Sequence, residues 1–513
     1  MKGQSQLADL NGFSELRVAL RRFSHLAPLD FQNAYIQDLI IHFIFSGINL
    51  RFPLQLAACG ILITDKRLKY SQNMTNHIAP IFSVSPIGRI AFVAMATLSF
   101  VFCERASAQD VNNGDFKIDP GLALTNPDEF NWSLLVAVSK KAPPNLQFPA
   151  GPNTTNNAVW ETWADDQFTF PRQPDPANPP KWQDRNKPLT PRPITQLQLR
   201  LKVFRHERAG LQPEAIIPGG GGEVVFRNQS SFDFIIKHNL FYQEGLAAAF
   251  KQGVNSGGFP SGVTLEFDPA AVELKAVYRP LGGTLTKENR HWNYAADGKA
   301  YGLVALHIMT KQIPNWTWAT WEWSGNTPDQ PNGNPGRSDW YGSRDSFGAI
   351  YKDASGAPTH FQAPVADAAG GPSGKPYPSG SVTAELIKMF KDAGFSEEWQ
   401  QEWSNYRLNG SQIDFTDPTG AAVLVGNSVT ENGFVQTSSC MTCHGNTAVD
   451  STGAPNPSIG FTLDGQSRNG PLDPGWFYDL NNFDPVQQFG RYKVTYYPVD
   501  FVWAIFRAQP KKQ

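Results

Sequence analysis

Five consecutive residues, Cys440-Met441-Thr442-Cys443-His444, carry the residue types with the most specific chemistry in the chain. Cys-x-x-Cys-His is the attachment signature of c-type haem, in which two thiols form thioether bonds to the porphyrin vinyl groups and the imidazole binds the iron. Two intervening residues let both sulfurs reach one porphyrin edge and bring the next residue beneath the iron. The pattern therefore predicts one covalent haem c on Cys440 and Cys443, with His444 as the proximal iron ligand.

Two other kinds of site also use closely spaced cysteines. A thioredoxin-like redox pair needs a strand before the first cysteine and a helix that starts at it, and the stretch 433–439 (GFVQTSS) gives weak support for such a strand. A zinc knuckle needs a second pair of ligands, and the other two cysteines, Cys59 and Cys103, lie far away in the sequence. The pattern therefore favours haem attachment.

The stretch 90–103 (IAFVAMATLSFVFC) is apolar but too short to span a bilayer as a helix. Arg89 precedes it and Ala106-Ser107-Ala108 follows it, which is the layout of a secretory signal peptide. We therefore predict a signal peptide at 74–108 that is cleaved after Ala108. Residues 1–73 are then interpreted as an upstream extension from a misassigned translation start.

Cleavage would leave the mature chain with only the two cysteines of the attachment pattern, and so with no disulfide beside its haem. Covalent haem attachment in bacteria occurs outside the cytoplasm, so the signal and the pattern agree on a periplasmic or secreted protein. The alternative for the N-terminal region is a membrane segment around 39–63, although Arg51 interrupts it. No integral membrane span is expected in the mature chain.

Composition is typical of a soluble globular protein, with 41% hydrophobic and 18% charged residues. The formal net charge of −2 gives no electrostatic attraction toward nucleic acid. The 40 Pro and 44 Gly indicate long loops. Apolar alternation and β-rich runs predict strands at 196–204, 224–226, 232–236, 263–267, 272–278 and 302–309. Helices are predicted at 130–138, 239–250, 384–391 and 396–406.

These elements predict an α+β fold with an antiparallel β-rich core, long Gly/Pro loops and helices toward the C-terminal haem-binding segment. Residues 109–395 are assigned to the β-rich α+β domain. Residues 396–513 are assigned to a c-type haem-binding segment that packs on it.

The attachment pattern leaves the second axial ligand of the iron open. No Met or His follows His444, so a distal ligand of either type must come from upstream. The candidates in the mature chain are His206, His238, His291, His307, His360, Met309 and Met389. Otherwise water, Lys or Tyr holds the site, or it stays open. An open site favours ligand binding or peroxide chemistry, and a filled site favours electron transfer.

His307 is the preferred candidate because it interrupts the apolar run 303–308 (LVALHI), which predicts a buried strand. Alternate side chains of a strand share a face, so Met309 should point the same way as His307. His307 or Met309 is therefore predicted to lie over the iron or line its pocket. The alternative for His307 is a core histidine that bonds a backbone carbonyl. Surface positions are expected for His238, His291 and His360.

The segment 316–323 (WTWATWEW) is unusually rich in tryptophan. Alternation along a strand predicts that its four indoles line one face, with Glu322 on the opposite face. Such a face is either a stacked core or a wall that shields the haem or conducts electrons.

Several segments together resemble a family of bacterial exported monohaem proteins, usually described only as cytochrome c family proteins. They occur in the order Trp160-Glu161-Thr162-Trp163, 303–311, 316–322, 406–412, 426–431 and 438–444. The family shows a Leu-His-Ile run, then Trp-x-Trp-x-Thr-x-Glu, and later Ser-Ser-Cys-x-x-Cys-His. The resemblance covers roughly 131–501 and implies haem binding, electron transfer and export.

This chain departs from the family pattern at two positions. The family commonly has an aromatic residue other than tryptophan where Trp321 lies, and a histidine after the glutamate. Here Trp323 follows Glu322. No ligand or catalytic role can therefore be assigned to a histidine at that position.

Two classes of function follow from the sequence. The first is a periplasmic electron carrier that exchanges electrons with an unidentified redox partner. The second is a haem enzyme, such as a peroxidase or oxygenase, with an open distal iron site; the large size of the chain favours it. Against an enzyme, no acid/base pair stands out near the single haem site. A haem sensor or scaffold is a weaker third alternative.

Overall fold

The computed structural model describes residues 40–45, 48–53, 118–143, 156–185, 222–255, 265–282, 286–326, 343–353, 355–362, 380–431, 435–456, 468–484 and 491–512. The predicted signal peptide, its cleavage site and the predicted strand 196–204 lie outside these residues. The chain divides into two compact units, Met1–Ala91 and Phe92–Gln513. In the first unit, β1 (Ile40–Phe45) and β2 (Ile48–Pro53) form an antiparallel hairpin.

The helices and remaining strands belong to the second unit. The helices are α1 (Pro120–Thr125), α2 (Pro127–Val138), α3 (Asp166–Thr169), α4 (Gln229–Lys237), α5 (Gln243–Asn255), α6 (Ala384–Asp392), α7 (Glu397–Trp403) and α8 (Cys440–Gly445). The strands are β3 (Ala164–Asp165), β4 (Gly222–Arg227), β5 (Val272–Pro280), β6 (Trp292–Tyr294), β7 (Ala300–Thr310), β8 (Thr317–Trp323), β9 (Ser343–Arg344), β10 (Ala349–Lys352), β11 (Pro358–Thr359), β12 (Phe361–Gln362), β13 (Ser381–Val382), β14 (Tyr406–Gln412), β15 (Ala448–Val449), β16 (Tyr478–Asp484), β17 (Arg491–Val494) and β18 (Tyr497–Pro498).

A seven-stranded sheet forms the centre of this unit. Its strand order is β14-β8-β7-β5-β4-β3, and β6 pairs with one end of β7. Every pairing in the sheet is antiparallel. The predicted α+β fold with an antiparallel core is therefore confirmed. No helix among the described residues is long and apolar enough to cross a membrane.

The two faces of the sheet differ in character. The first face, called the core face, carries Leu274, Ile308 and Trp321, and packs in the larger hydrophobic core with α2, α6 and α7. The second face, called the polar face, includes the row Lys275–His307–Thr320, whose members pair directly across β5, β7 and β8. The polar face is the one that the attachment segment approaches.

Most of the predicted elements that fall on described residues are confirmed. The strands at 224–226, 272–278 and 302–309 are parts of β4, β5 and β7, and the helices at 130–138 and 384–391 are parts of α2 and α6. The helix predicted at 239–250 begins later, as α5, and the one predicted at 396–406 is the shorter α7, which β14 follows.

The strand predicted at 232–236 is wrong, because these residues lie inside α4. Asn228 begins that helix by accepting a hydrogen bond from the N–H of Ser231, and Phe232 and Ile235 are buried three residues apart, which suits a helix. The strand predicted at 263–267 is also wrong over its described residues, since 265–268 form no helix or strand.

Candidate haem-attachment site

The predicted attachment residues lie on the short helix α8. Ser439 precedes it, and its hydroxyl accepts a hydrogen bond from the N–H of Thr442. Residues three and four apart share one side of a helix, so Cys440, Cys443 and His444 lie together. All three are partly exposed.

The opposite side of α8 is packed against the rest of the molecule. Met441 is fully buried in a hydrophobic core that also contains Trp318. The N–H of Met441 donates to the side-chain oxygen of Gln412, 3.0 Å away, and the amide of Gln412 donates to the Ser439 hydroxyl at 2.9 Å. Because Gln412 ends β14, these bonds attach α8 to the edge of the sheet.

The His444 ring has the arrangement expected of a metal-ligating imidazole. Its Nδ1 lies 2.9 Å from the carbonyl oxygen of Phe501, so Nδ1 donates and Nε2 keeps its lone pair. The rings of Trp318 and Trp503 lie 4.6 and 5.9 Å from the His444 ring, centroid to centroid. Burial lowers the pKa of His444 to about 3, and the charge of Lys275 lowers it too. His444 is therefore neutral, which is the form that binds a metal.

Both cysteines are thiols at neutral pH. Burial raises the pKa of Cys443 to about 12 and shifts the pKa of Cys440 in the same direction, and the charge of Glu431 adds to both shifts. A thioredoxin-like pair needs a low-pKa thiolate. In addition, 435–437 form a 3₁₀ turn where that alternative needs a strand. Thioether formation, by contrast, adds an S–H across a vinyl double bond.

The described residues contain no group of three or more His, Cys, Asp or Glu side chains that could hold a metal ion. The zinc alternative therefore lacks the second pair of ligands that it needs in this part of the chain. The donor set that α8 presents, two thiols and one neutral imidazole, fits covalent haem.

Two partly exposed side chains lie on the polar face of the sheet, near α8. Lys275 and His307 are each the one partly exposed residue within a stretch of buried strand, 272–279 and 301–311 respectively. Burial lowers the pKa of both His444 and His307, and the charge of Lys275 lowers each further. These groups, with Glu431, therefore lie near one another beside α8, and we call the region between them the cleft.

Of the two predicted distal candidates, His307 lines the cleft. Its Nε2 lies 3.6 Å from Oε1 of Glu431, a separation too long for a hydrogen bond. Met309 is 6% exposed and pairs directly with Trp318 inside the core that contains Met441. His307 therefore belongs to the cleft, and Met309 is packed in the core beside α8.

The surface position predicted for His291 is wrong, because this side chain is fully buried under the core face. Its Nε2 lies 3.0 Å from Glu161 and its Nδ1 lies 3.5 Å from Glu402. His238 and His360 are exposed, as predicted. The remaining candidates are Met389, which packs against the larger core, and His206, which lies outside the described residues.

The four tryptophans of the predicted aromatic strand do not share a face, contrary to the prediction. Trp316 and Trp318 belong to the core beside α8. Trp321 and Trp323 pack on the other side of the sheet. Trp318 and Trp321 are three residues apart, so the unbroken alternation of side chains along β8 places them on opposite faces of the sheet. Only Trp318 contacts His444 among the four, and Glu322 shares its side of the strand.

Sequence reasoning did not select Lys275 or Glu431 as site residues. Lys275 lies within the run 272–278 that was predicted only as a strand, and Glu431 ends one segment of the family resemblance. Comparisons of the chain with protein-family models, with curated proteins and with solved structures gave no match. The resemblance to exported monohaem proteins therefore stays an expectation.

Proposed function

We propose that this protein is an exported c-type cytochrome that carries one covalent haem and transfers electrons in the periplasm. Cys440 and Cys443 would hold the haem, and His444 would be its proximal ligand. The observation that carries the proposal is the presentation of these three side chains on one partly exposed side of α8, while the other side of the helix is packed.

The surrounding residues have definite tasks in this proposal. The carbonyl of Phe501 holds the proton on Nδ1 of His444 and fixes the ring orientation, which leaves Nε2 as the donor atom. Trp318 and Trp503 pack near the imidazole and would help to hold its ring in place. When bound, the haem supplies reversible one-electron oxidation and reduction of its iron.

A second candidate function is a haem-dependent oxidoreductase with an open distal iron site. One observation favours it: Lys275, His307 and Glu431, three ionisable side chains, line the cleft beside α8. A carrier that only exchanges electrons has no need for ionisable groups at that position.

The proposal is tested by expressing the chain with the bacterial cytochrome c maturation system and staining denaturing gels for haem. The wild-type protein should keep its haem through denaturation, because thioether bonds survive it. The double variant Cys440→Ala/Cys443→Ala should lose the stain. His444→Ala should keep the stain but change the optical spectrum, since it removes a ligand and leaves the tether.

The single variants Cys440→Ala and Cys443→Ala serve as matched controls, and each should retain haem less faithfully through its one remaining thioether. Full haem stain in the double variant would contradict the assignment of the two cysteines. An unchanged spectrum in His444→Ala would contradict the assignment of the proximal ligand.

A further inference from the structure

We propose that the cleft binds a small protic ligand of the haem iron, a molecule H–X such as hydrogen peroxide, hydroxylamine or hydrogen cyanide, and that His307, with Glu431 beside it, accepts the proton of that ligand. This inference rests on the proposed function, because the iron belongs to the haem that α8 would carry. It goes beyond electron transfer, since it assigns a proton acceptor and a ligand class to the space in front of the attachment helix.

The position of His307 is the first argument. It lies in the middle of β7, and its side chain keeps 16% of its surface exposed while its neighbours along the strand are buried. Its direct partner in β5 is Lys275, which is also partly exposed. Two ionisable groups therefore stand side by side on the polar face of the sheet.

The pairing of His307 with Glu431 is the second argument. Glu431 keeps 14% of its side-chain surface exposed, and its Oε2 accepts the N–H of Asn427 at 2.8 Å, which fixes the carboxyl group. Its Oε1 lies 3.6 Å from Nε2 of His307, a buried atom with no hydrogen-bond partner among the residues that the structure describes. A buried nitrogen without a partner is costly unless a ligand or proton completes its contacts.

The charges around His307 suit a proton acceptor. Enclosure in the protein, with the charge of Lys275 on β5, holds the pKa of His307 well below its ordinary value. The imidazole is therefore neutral and has a lone pair available. Burial raises the pKa of Glu431 to about 7, against the opposing charge of Lys275, so this carboxyl can ionise near neutral pH and stabilise an imidazolium beside it.

Two more carboxylates, on neighbouring strands, affect the pKa of Glu431. Glu322 on β8 and Glu223 on β4 both raise the pKa of Glu431. Both have partners of their own: Ser428 and Asn409 donate to Glu322, and Arg507 lies 3.5 Å from Glu223. Glu322 and Glu223 therefore influence the pKa of Glu431 but are engaged by partners of their own. We assign the proton exchange to His307 and Glu431.

The proton transfer balances without an added oxidant or reductant. When hydrogen cyanide is the probe, its H–C bond would break, its carbon would go to the ferric iron of the haem that Cys440, Cys443 and His444 would hold, and its proton would pass to the His307 imidazole. No electron is transferred in this step. Removing the acceptor should therefore slow the binding of the neutral acid, since the proton would have to pass to water.

The test measures the rate of cyanide binding to the ferric, haem-loaded protein by stopped-flow absorbance near neutral pH. His307→Gln should bind cyanide more slowly by on the order of 10²-fold, which is the lower range for a positioned acid or base. Glu431→Gln keeps the shape of the side chain and should give a smaller slowing. His238→Gln and Glu398→Gln, two exposed positions, are the matched controls and should leave the rate unchanged.

Iron ligation by His307 is the competing role for the same side chain, and the experiment separates the two. A wild-type protein with a low-spin spectrum that resists cyanide, together with a high-spin His307→Gln variant, would overturn the proposal. Equal cyanide rates in wild type and Glu431→Gln would also overturn the pairing, even if His307→Gln fails to fold. Absence of covalent haem from the wild type, seen beforehand by haem staining, would instead refute the proposed function.

Discussion

His291 and His307 differ in their surroundings. His291 is part of a network of charged groups, whereas Nε2 of His307 makes no hydrogen bond to the described residues. His291 lies between two carboxylates, and the ring of Trp403 stacks on it at 4.9 Å. The hydroxyl of Tyr278 donates to Glu161 at 2.6 Å and completes the network. His307 faces one carboxyl at a longer distance. We therefore assign a structural role to the first and a ligand-handling role to the second.

The structural role of His291 predicts a pH-dependent stability. Burial alone would lower the pKa of His291, but Glu161 and Glu402 together raise it from 6.5 to about 9. A raised pKa stabilises the fold fully below the unfolded-state value near 6.5, and this stabilisation is lost as the pH rises toward 9. The amount is on the order of 3 kcal/mol.

Urea unfolding of wild type and Glu161→Gln at pH 6 and pH 9.5 measures this contribution. The difference in free energy of unfolding between the two proteins should shrink at the higher pH, because the imidazolium that Glu161 stabilises is then lost. Comparing the difference removes the contribution of other groups that titrate in the same range. A difference that stays constant between the two pH values would contradict the account of His291.

At the scale of elements, the turn that follows β18 orients the candidate iron ligand. Asp500 and Phe501 have φ angles of +50° and +69°, which are left-handed and uncommon for such residues. The Asp500 carboxylate holds the turn by accepting hydrogen bonds from Lys311 at 2.8 Å and Trp316 at 3.2 Å. The turn thereby presents the Phe501 carbonyl to His444.

Removing the Asp500 side chain should therefore affect both stability and the haem site. Asp500→Ala leaves Lys311 enclosed without its close partner, and we expect a loss of about 3–5 kcal/mol in the free energy of unfolding. The haem spectrum should broaden or shift, because His444 loses its fixed orientation. Urea unfolding and the optical spectrum of the haem-loaded variant measure the two effects.

Glu266 supplies a matched control for this variant. Its carboxylate lies 3.7 Å from the same Lys311 nitrogen, but its side chain is 62% exposed. Glu266→Ala should therefore change the free energy of unfolding by less than about 1 kcal/mol and leave the spectrum unchanged. Equal effects of the two substitutions would contradict the role given to the turn.

Local patterns in the sequence predict some of these elements and not others. The strand β7 follows from a long apolar run and β5 from a β-rich run, and α8 contains a motif that can be recognised without the fold. The burial of His291 could not be foreseen, because its partner Glu161 lies 130 residues away and the local surroundings are polar. Likewise, the carboxyl group beside His307 comes from a distant loop.

At the scale of the whole molecule, the large sheet contributes residues of its polar face to the candidate haem site beside α8. The attachment helix lies late in the sequence, and its supports come from both sides of it: Gln412 is 29 residues before Met441, and Phe501 is 57 residues after His444. The polar face then adds Lys275 and His307 from the middle of the chain. This use of the sheet gives a role to a chain larger than a simple electron carrier needs.

The most direct test of the central claim is the intact mass of the protein purified from the periplasm of cells with a working cytochrome c maturation system. We predict a chain that begins at Gln109, after cleavage behind Ala108, and that carries the mass of one haem through denaturation. The predicted cleavage site lies outside the described residues, so the same spectrum also tests the export prediction. A protein from those cells with both Cys440 and Cys443 as free thiols and no added haem would contradict the account.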